Sequence, residues 1–157
     1  MSDFISRTQS ELGEDETVLI AKAEQAIINA YAPYSSFLVG AAVLLNNGVI
    51  VTGTNQENAA YPSGMCAERV VLYTASSQYP GEIILKLVVV AKKMGAPHLS
   101  PATCCGSCRQ VMVEFEQRQE NPFKVVMLYS SNEWIIAPSA VSLLPFSFDK
   151  SSLGVQR

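Results

Sequence analysis

The sequence has little charge, a single histidine and only four cysteines. Charged residues make up 16% of the chain, against a usual ~25%, and the formal net charge is −3 at pH 7. Because there is no basic excess to attract phosphates, we expect no nucleic-acid partner. So few charges in a chain of 157 residues indicate a surface that is partly covered by further copies of itself.

Targeting and membrane signals are also lacking. The first residues, MSDFISRTQSELGEDE, are polar and acidic, with neither the basic nor the apolar region of a secretory signal. Apolar runs such as LVVVA (87–91) are far too short to span a bilayer. We therefore expect a cytoplasmic protein without membrane contacts. Thiols stay reduced in that compartment, where paired cysteines more often bind metal or act in catalysis than form structural disulfides.

Apolar periodicity predicts helices that alternate with strands. Helical spacing runs over 14–31, and two apolar runs around Asn46-Asn47-Gly48 predict a hairpin. Further helices are expected to begin at Cys66 and near Cys105, because helical patterns follow loops that contain Pro and Gly. Buried strands are expected at 83–93, 123–130 and 133–139, followed by a short helix.

This order of elements favours the α/β class. We expect a three-layer α/β/α sandwich around a five-stranded mixed sheet. The sequence shows no repeat, low-complexity run or linker, so we expect one catalytic domain over residues 14–157. Residues 1–13 carry no periodic pattern, and we expect them to form a flexible arm.

Three of the four cysteines stand in two short motifs. SGMCAERVV (63–71) places Cys66 two residues before Glu68, and ATCCGSCRQV (102–111) contains Cys105 and Cys108 as a C-x-x-C pair. At helix N-termini such side chains can converge on a point just beyond the helix axis. A catalytic zinc takes three protein ligands and keeps a fourth position for water. We therefore expect Cys66, Cys105 and Cys108 to bind one Zn²⁺ per subunit.

Glu68 is the candidate catalytic residue of this centre. Zinc lowers the pKa of a bound water, and a carboxylate placed nearby can accept and deliver that proton. Three thiolates and one Zn²⁺ sum to a single negative charge, which two helix N-termini and a neighbouring arginine would balance. We prefer Arg69 to Arg109 for that arginine, because Arg69 lies beside Glu68.

Two other interpretations of the cysteines stay open. A C-x-x-C pair can be a redox pair, although this leaves Cys66 and Glu68 unexplained. It can also belong to a structural zinc site, which normally needs a fourth ligand. The remaining candidates for that ligand are Cys104, which adjoins Cys105, and His98, which lies in a proline-flanked loop.

Four blocks in order carry a resemblance to a known family: APYSSFLVGAAV (32–43), GTNQENAAYPSGMCAER (53–69), CGSCRQVMVEF (105–115) and LLPFSF (143–148). The chain resembles the cytidine deaminase family, in its short-chain branch with three cysteine ligands, and C-x-E…C-x-x-C matches the zinc deaminase signature. The resemblance covers about residues 15 to 150. It departs at Cys104, where the family usually has Pro, and the loop 94–104 is longer than usual.

The resemblance implies hydrolytic deamination of cytidine and deoxycytidine to uridine and deoxyuridine, a reaction of pyrimidine salvage. Glu68 would carry the proton to N3 of the base and then to the leaving amine. Asn55 and Glu57 would hold the ribose 3′-hydroxyl, and Phe37 would pack on the base. Residues that would reach the substrate of an adjacent subunit, in a homotetramer with shared active sites, are Ala59, Tyr61 and Phe148. The alternatives are a deaminase of a related aminopyrimidine nucleoside such as blasticidin S and a non-catalytic zinc or redox protein.

Overall fold

The computed structural model describes residues 4–154 and contains a six-stranded mixed sheet. Across the sheet the strand order is β1-β6-β5-β4-β2-β3, and every pairing is antiparallel except that of β4 with β5. The strands are β1 (Ile5–Arg7), β2 (Phe37–Leu45), β3 (Ile50–Thr54), β4 (Ile84–Lys93), β5 (Lys124–Ser130) and β6 (Glu133–Ala137). The helices are α1 (Glu14–Ala26), α2 (Ala67–Gln78) and α3 (Gly106–Gln119).

The helices cover both faces of the sheet. Helix α1 packs on β2, β3 and β4, and its Leu19 and Ala23 join Val88, Val90 and Trp134 in one buried cluster. Helices α2 and α3 cover the opposite face in a second cluster. This is the three-layer α/β/α arrangement expected from the sequence. The expected count of five strands was wrong, because β1 adds a sixth at the edge.

Strand β1 lies within the stretch 1–13, which was expected to form a flexible arm. Ile5 pairs with Ile136 of β6, and the Ser6 hydroxyl donates a hydrogen bond to Glu133 at 2.8 Å. All three residues of β1 are exposed. They bury no apolar face, so their sequence lacks the alternating pattern that would predict a strand. Main-chain pairing with β6 holds them instead.

The flexibility expected of residues 1–13 stays a prediction, and the described part of this stretch contains more than β1. After β1, a 3₁₀ turn spans Gln9–Glu11, and Glu11 and Thr8 form a capping box around it. Residues 1–3 of the expected arm and residues 155–157 of the expected domain lie outside the described residues.

The predicted hairpin is confirmed as β2 and β3. Gly48 lies in the turn between them with φ +83°, a conformation that glycine adopts at little cost. Gly53 of β3 serves a different purpose. A Cβ at that position would lie 2.6 Å from the Val71 amide nitrogen of α2, so glycine allows α2 to lie close against the sheet.

The parallel strands β4 and β5 separate towards their carboxyl ends. Their pairing stops at Val89 and Met127, and the chain returning from β4 fills the gap. The Ser100 amide donates to Ala91 at 2.8 Å, and the Ala102 amide donates to Leu128 at 2.9 Å. The long loop 94–104 thus satisfies both strand edges before it enters α3. Separated carboxyl ends are where open α/β sheets usually bind ligands.

Candidate metal centre and active site

Three cysteine sulfurs meet where α2 and α3 begin. Cys66 is the N-cap of α2, Cys105 is the N-cap of α3, and Cys108 lies in the first turn of α3. The Cys108 amide donates a hydrogen bond to the Cys105 sulfur at 3.4 Å, so the thiol occupies the position of a capping oxygen. Both helix N-termini therefore point their partial positive charge at the sulfurs.

The spacing of these sulfurs fits one zinc ion. The Sγ atoms of Cys66 and Cys105 are 4.0 Å apart, and all three sulfurs lie within 4.8 Å of one another. Sulfurs bound to one tetrahedral zinc at ~2.3 Å are about 3.8 Å apart. Small shifts would bring the three thiols to that spacing, and thiolates are ligands that zinc prefers.

Cys104 stands outside the cluster of three. Its side chain is buried, and its amide donates to the Met127 sulfur at 3.5 Å. The Arg109 guanidinium holds the Cys104 carbonyl through Nε at 2.8 Å and the Leu143 carbonyl at 3.2 Å. Arg109 therefore fixes the chain at the start of α3, whereas Arg69 donates from Nη2 to the Cys66 sulfur at 3.8 Å. The structure places Arg69, and not Arg109, against a candidate ligand.

Negative charge is stabilised most strongly on Cys66. Its pKa is lowered from 9.0 to about 5, first by a hydrogen bond with the Cys108 thiol and then, against the effect of burial, by Arg69 and Cys105. The pKa of Cys108 is raised, because it shares that hydrogen bond and is buried. The hydrogen bonds from Cys108 and Arg69 therefore favour the thiolate form of Cys66.

Glu68 lies in the first turn of α2, next to the thiols, with only 5% of its surface exposed. Burial raises the pKa of its carboxyl, and the charge on Cys66 adds to that shift. Desolvation of this kind is typical of carboxyls that exchange protons with a substrate. Glu68 and Cys66 at the start of α2 thus face the same space as Cys105 at the start of α3.

That space is a cavity of about 690 Å³, hereafter the central cavity. Its walls come from three stretches of chain, 34–39, 55–69 and 102–105, together with Val89. The volume is in the usual range for a small-molecule site. Cavity-lining residues that were expected from the sequence are Phe37, Asn55, Glu57, Tyr61, Cys66, Glu68, Arg69 and Cys105.

The side chains of Asn55 and Glu57 both form hydrogen bonds with main-chain groups of the cavity wall at 34–39. The Asn55 carboxamide accepts from the Val39 amide at 2.8 Å and donates to the Phe37 carbonyl at 2.9 Å. One oxygen of Glu57 accepts from the amides of Tyr34 and Ser35 at 2.9 and 3.2 Å. Hydrogen bonds from the Ser35 hydroxyl and these amides lower the Glu57 pKa, so a carboxylate faces the cavity at neutral pH.

Two of the residues expected at a neighbour's site lie away from the central cavity. Ala59 and Phe148 are not among its lining residues, and 60% of the Phe148 surface is exposed. Tyr61 is exposed but lines the cavity of its own chain, with its ring 5.9 Å from the ring of Tyr34. The structure therefore does not bring these three residues together.

Sequence reasoning missed several walls of the cavity. Tyr34 and Ser35 line it from the turn before β2, and Ala102 and Thr103 line it from the end of the long loop. Tyr34 and Ser35 belong to the block APYSSFLVGAAV, so their place in that motif could have predicted that they lie at the site. Ala102 and Thr103 lie outside the four family blocks, directly before Cys104, so no motif marks them.

Fold and site together define a zinc-dependent enzyme of the α/β class. A metal-assisted hydrolase needs metal ligands, a group that accepts a proton and space for a substrate. Here three thiols fit one zinc, a buried carboxylate lies beside them, and a cavity opens onto both. Within residues 4–154, none of the helices has the length and apolarity needed to cross a membrane.

Comparisons with known proteins identify the family. The family model of the cytidine and deoxycytidylate deaminase zinc-binding region matches residues 14–121. A cytidine deaminase of Sporosarcina psychrophila is 40% identical over 140 residues, which are 88% of this chain and 95% of that protein. A cytidine deaminase of Halalkalibacterium halodurans is 43% identical over 100 residues, 64% of this chain and 71% of that protein.

Solved structures agree with the sequence matches. The crystal structure of cytidine deaminase from Burkholderia pseudomallei superposes with a TM-score of 0.71 at 37% identity and covers 87% of this chain and 100% of its own. The chain belongs to the cytidine and deoxycytidylate deaminase family of zinc proteins.

Proposed function

We propose that this protein is a zinc-dependent deaminase that converts cytidine and deoxycytidine to uridine and deoxyuridine in pyrimidine salvage. The observation that carries the proposal is the cluster of Cys66, Cys105 and Cys108 beside buried Glu68, at the wall of a cavity in a chain of this family. Free thiols suit the cytoplasm, where we propose that the enzyme works.

The proposed mechanism assigns each cavity residue a physical task. Zinc, when bound by the three cysteines, supplies the acidity that lets a water molecule react at neutral pH. Glu68 accepts one proton of that water and delivers it to N3 of the base, and it then transfers the second proton of the same water to the departing amine. Cytidine and water thereby give uridine and ammonia. Phe37 packs on the base, and Arg69 stabilises the thiolate of Cys66 by its hydrogen bond.

The charges around the cavity favour a nucleoside over a nucleotide. Among the cavity-lining residues that the structure describes, Arg69 is the sole cation, and its guanidinium is engaged by Cys66. Glu57 and Glu68 are the acidic residues of the same lining. A phosphate at the 5′ position would need a cation or several free amide donors, whereas a sugar hydroxyl can donate to Glu57. This supports cytidine over its monophosphate as the substrate.

We also propose that residues 14–157 act as one catalytic domain in a homotetramer with shared active sites. Low charge content and several exposed apolar side chains of the last segment, including Phe146 and Phe148, support self-association. In this arrangement Ala59, Tyr61 and Phe148 would approach the substrate of a neighbour. Light scattering behind a sizing column tests the assembly, and a monomer of 17.0 kDa at micromolar concentration would contradict it.

Two alternatives set the design of the activity test. A deaminase of another aminopyrimidine nucleoside, such as blasticidin S, would bind zinc but leave cytidine unchanged. A non-catalytic zinc or redox protein would deaminate neither cytidine nor another aminopyrimidine nucleoside. The pair of Asn55 and Glu57 beside the cavity favours a substrate that carries a ribose.

The test measures loss of the cytosine absorbance and release of ammonia from cytidine and deoxycytidine, with zinc per chain on the same sample. Glu68→Gln should keep its zinc and lose at least ~10²-fold in kcat, because it cannot accept the proton. Glu114→Gln makes the same chemical change on the exposed face of α3 and should leave kcat unchanged. Full activity in Glu68→Gln would contradict the mechanism. Absence of turnover in the unmodified protein would contradict the proposal that cytidine and deoxycytidine are its substrates.

A further inference from the structure

Loop 94–104 has its two ends at two walls of the central cavity. It leaves β4 beside residues 34–37 and ends in residues 102–104, and both of these stretches contribute cavity-lining residues. The residue that follows the loop is the candidate ligand Cys105. The loop is also a place where the chain departs from the family resemblance, because it is longer than usual. The contacts at its first end give it a specific task.

The main chain of Met94 adds one hydrogen bond to the ladder of β2 and β4. Paired residues of these two strands extend as far as Phe37 and Lys93. Beyond this pair, the Met94 amide donates to the Ser36 carbonyl at 2.9 Å. Hydrogen-bonded pairs alternate with non-hydrogen-bonded pairs in an antiparallel ladder. The pair of Phe37 and Lys93 is therefore of the second kind, so Phe37 depends on the hydrogen bond to Ser36 on one side of it.

Ser36 adopts a backbone conformation that needs such support. Its φ is +56°, in the left-handed region that is unfavourable for a residue with a Cβ. Conformations of this kind persist where the surroundings over-determine them. The Ser36 amide donates to the Ala32 carbonyl at 3.1 Å, and the Ser36 carbonyl accepts from Met94. One hydrogen bond on each side thus keeps Ser36 left-handed, and the bond from Met94 is the one next to Phe37.

The turn before Ser36 is held separately. The Glu57 carboxylate accepts from the amides of Tyr34 and Ser35, and the Ser35 hydroxyl accepts from the Phe37 amide at 3.0 Å. These bonds do not involve the loop. Loss of the hydrogen bond from the loop would therefore release the Ser36 carbonyl and loosen Phe37, while the turn stays in place.

The loop begins with a turn that suits proline at its second residue. The Ala96 amide donates to the Lys93 carbonyl at 3.0 Å. Gly95 has a φ of +76°, and Met94 before it has a negative φ. These features define a type II turn, in which proline is favoured at the position of Met94. Met94→Pro should therefore preserve the turn and remove the N–H that binds Ser36.

The other end of the loop is anchored independently of Met94. The Ser100 and Ala102 amides bind the edges of β4 and β5, and Leu99 packs against the buried cluster beside α1. Met94→Pro should therefore leave the candidate ligand Cys105 in place.

We propose that Met94 is a positioning residue, whose main-chain amide holds Ser36 left-handed and thereby sets Phe37 against the bound base. Loop 94–104 thus links this wall to the one that leads into the metal centre. The proposal rests on the proposed function, in which Phe37 packs on the base. Phe37 would make the same contact before and during the reaction, so its displacement should weaken binding more than it slows the chemistry.

The test compares Met94→Pro with Met94→Ala, which shortens an exposed side chain and keeps the amide. With cytidine as substrate, Met94→Pro should raise KM about threefold to tenfold, the effect of one lost hydrogen bond. It should change kcat less than about twofold and keep its zinc. Met94→Ala should match the unmodified protein in KM, kcat and zinc content.

Amide hydrogen exchange, followed by mass spectrometry, gives a readout that needs no turnover. In Met94→Pro, a peptide that covers residues 36–40 should exchange faster by about threefold to tenfold. A peptide within β4, over residues 86–91, should exchange at the rate of the unmodified protein. Met94→Ala should show no change in either peptide.

A KM in Met94→Pro within about twofold of the unmodified value would overturn the proposal. An equal rise of KM in Met94→Ala would also overturn it, because the effect would then belong to the side chain. Faster exchange over the whole chain would indicate general destabilisation and would equally count against a positioning role.

If Met94→Pro does not fold, Ser36→Val takes its place. A β-branched side chain disfavours the left-handed region and leaves the main-chain hydrogen-bonding groups intact. Ser36→Val should raise KM and keep kcat, and a normal KM would contradict the role of this conformation. If the unmodified protein does not deaminate cytidine, the proposed function fails, whereas the exchange comparison still decides whether the Met94 amide holds the wall.

Discussion

Gly53→Ala should weaken both the fold and the activity, although Gly53 is not a cavity residue. An added Cβ would lie 2.6 Å from the Val71 amide nitrogen and 3.0 Å from both the Ala67 carbonyl oxygen and the Val71 Cα. All of these atoms belong to the backbone of α2, so rotation of a side chain cannot relieve the clash. The helix must move away from β3.

The required movement can be estimated from the contact. Ordinary van der Waals contact begins near 3.4 Å, so α2 must shift by roughly 0.8 Å, with a strain of about 1–3 kcal/mol. For a chain of this size the corresponding loss in Tm is about 3–10 °C. Cys66 and Glu68 stand at the N-terminus of the displaced helix. A misplacement of ~1 Å at a site can cost ~10²-fold in rate, and we expect a loss of tens-fold in kcat/KM.

Gly40→Ala is the matched control. A Cβ there would lie 2.1 Å from the Ala23 carbonyl oxygen of α1, so it displaces a helix that carries no candidate site residue. Both variants should melt at lower temperature, but Gly40→Ala should keep the kcat/KM of its folded fraction and its zinc. Thermal melts, zinc analysis and cytidine kinetics measure these effects. Normal kinetics in Gly53→Ala, or equal kinetic losses in both variants, would refute the argument.

Further predictions concern the metal and two buried charges. Cys104→Ala should keep one zinc per chain whereas Cys105→Ser loses it, by elemental analysis. Burial alone would raise the pKa of Glu16, but the hydrogen bond from Lys86 at 2.6 Å lowers it below 4.5. Lys86→Met should therefore cost about 1–3 kcal/mol in denaturant at neutral pH, a difference that shrinks as pH falls and Glu16 is protonated. Burial raises the pKa of Glu116 above 4.5, so its ionisation costs stability as pH rises. The Tm of Glu116→Gln, relative to the unmodified protein, should therefore increase from about pH 4 to pH 7.

The sequence predicted the elements that have strong local signals. Helix starts at Cys66 and Cys105 followed from loops before helical patterns, and the structure places both residues as N-caps. The C-x-x-C spacing put two thiols in one helical turn, and a cysteine two residues before Glu68 suggested the third. These signals act over a few residues, which is why they could be read without the fold.

Features that depend on distant partners could not be predicted in this way. Ile5–Arg7 became a strand because β6 offered it a free edge, a property of residues more than a hundred positions away. The double use of the Asn55 carboxamide depends on Tyr31, which takes main-chain bonds that a hairpin pattern assigns to β2. In both cases tertiary contacts outweighed the local pattern.

Strand β1 has a consequence for the protein in crowded solution. It lies before residue 14, where the match to the family model begins, and it occupies the outer edge of β6. Without it, Trp134 and its neighbours would present unpaired amides and carbonyls along an apolar strand, which is a template for aggregation. At the new edge the strand is only three residues long, exposed and ends in Arg7, and short charged edges discourage further strand addition. Strand β1 thus covers the edge of β6 and disfavours fibre-like assembly of the protein.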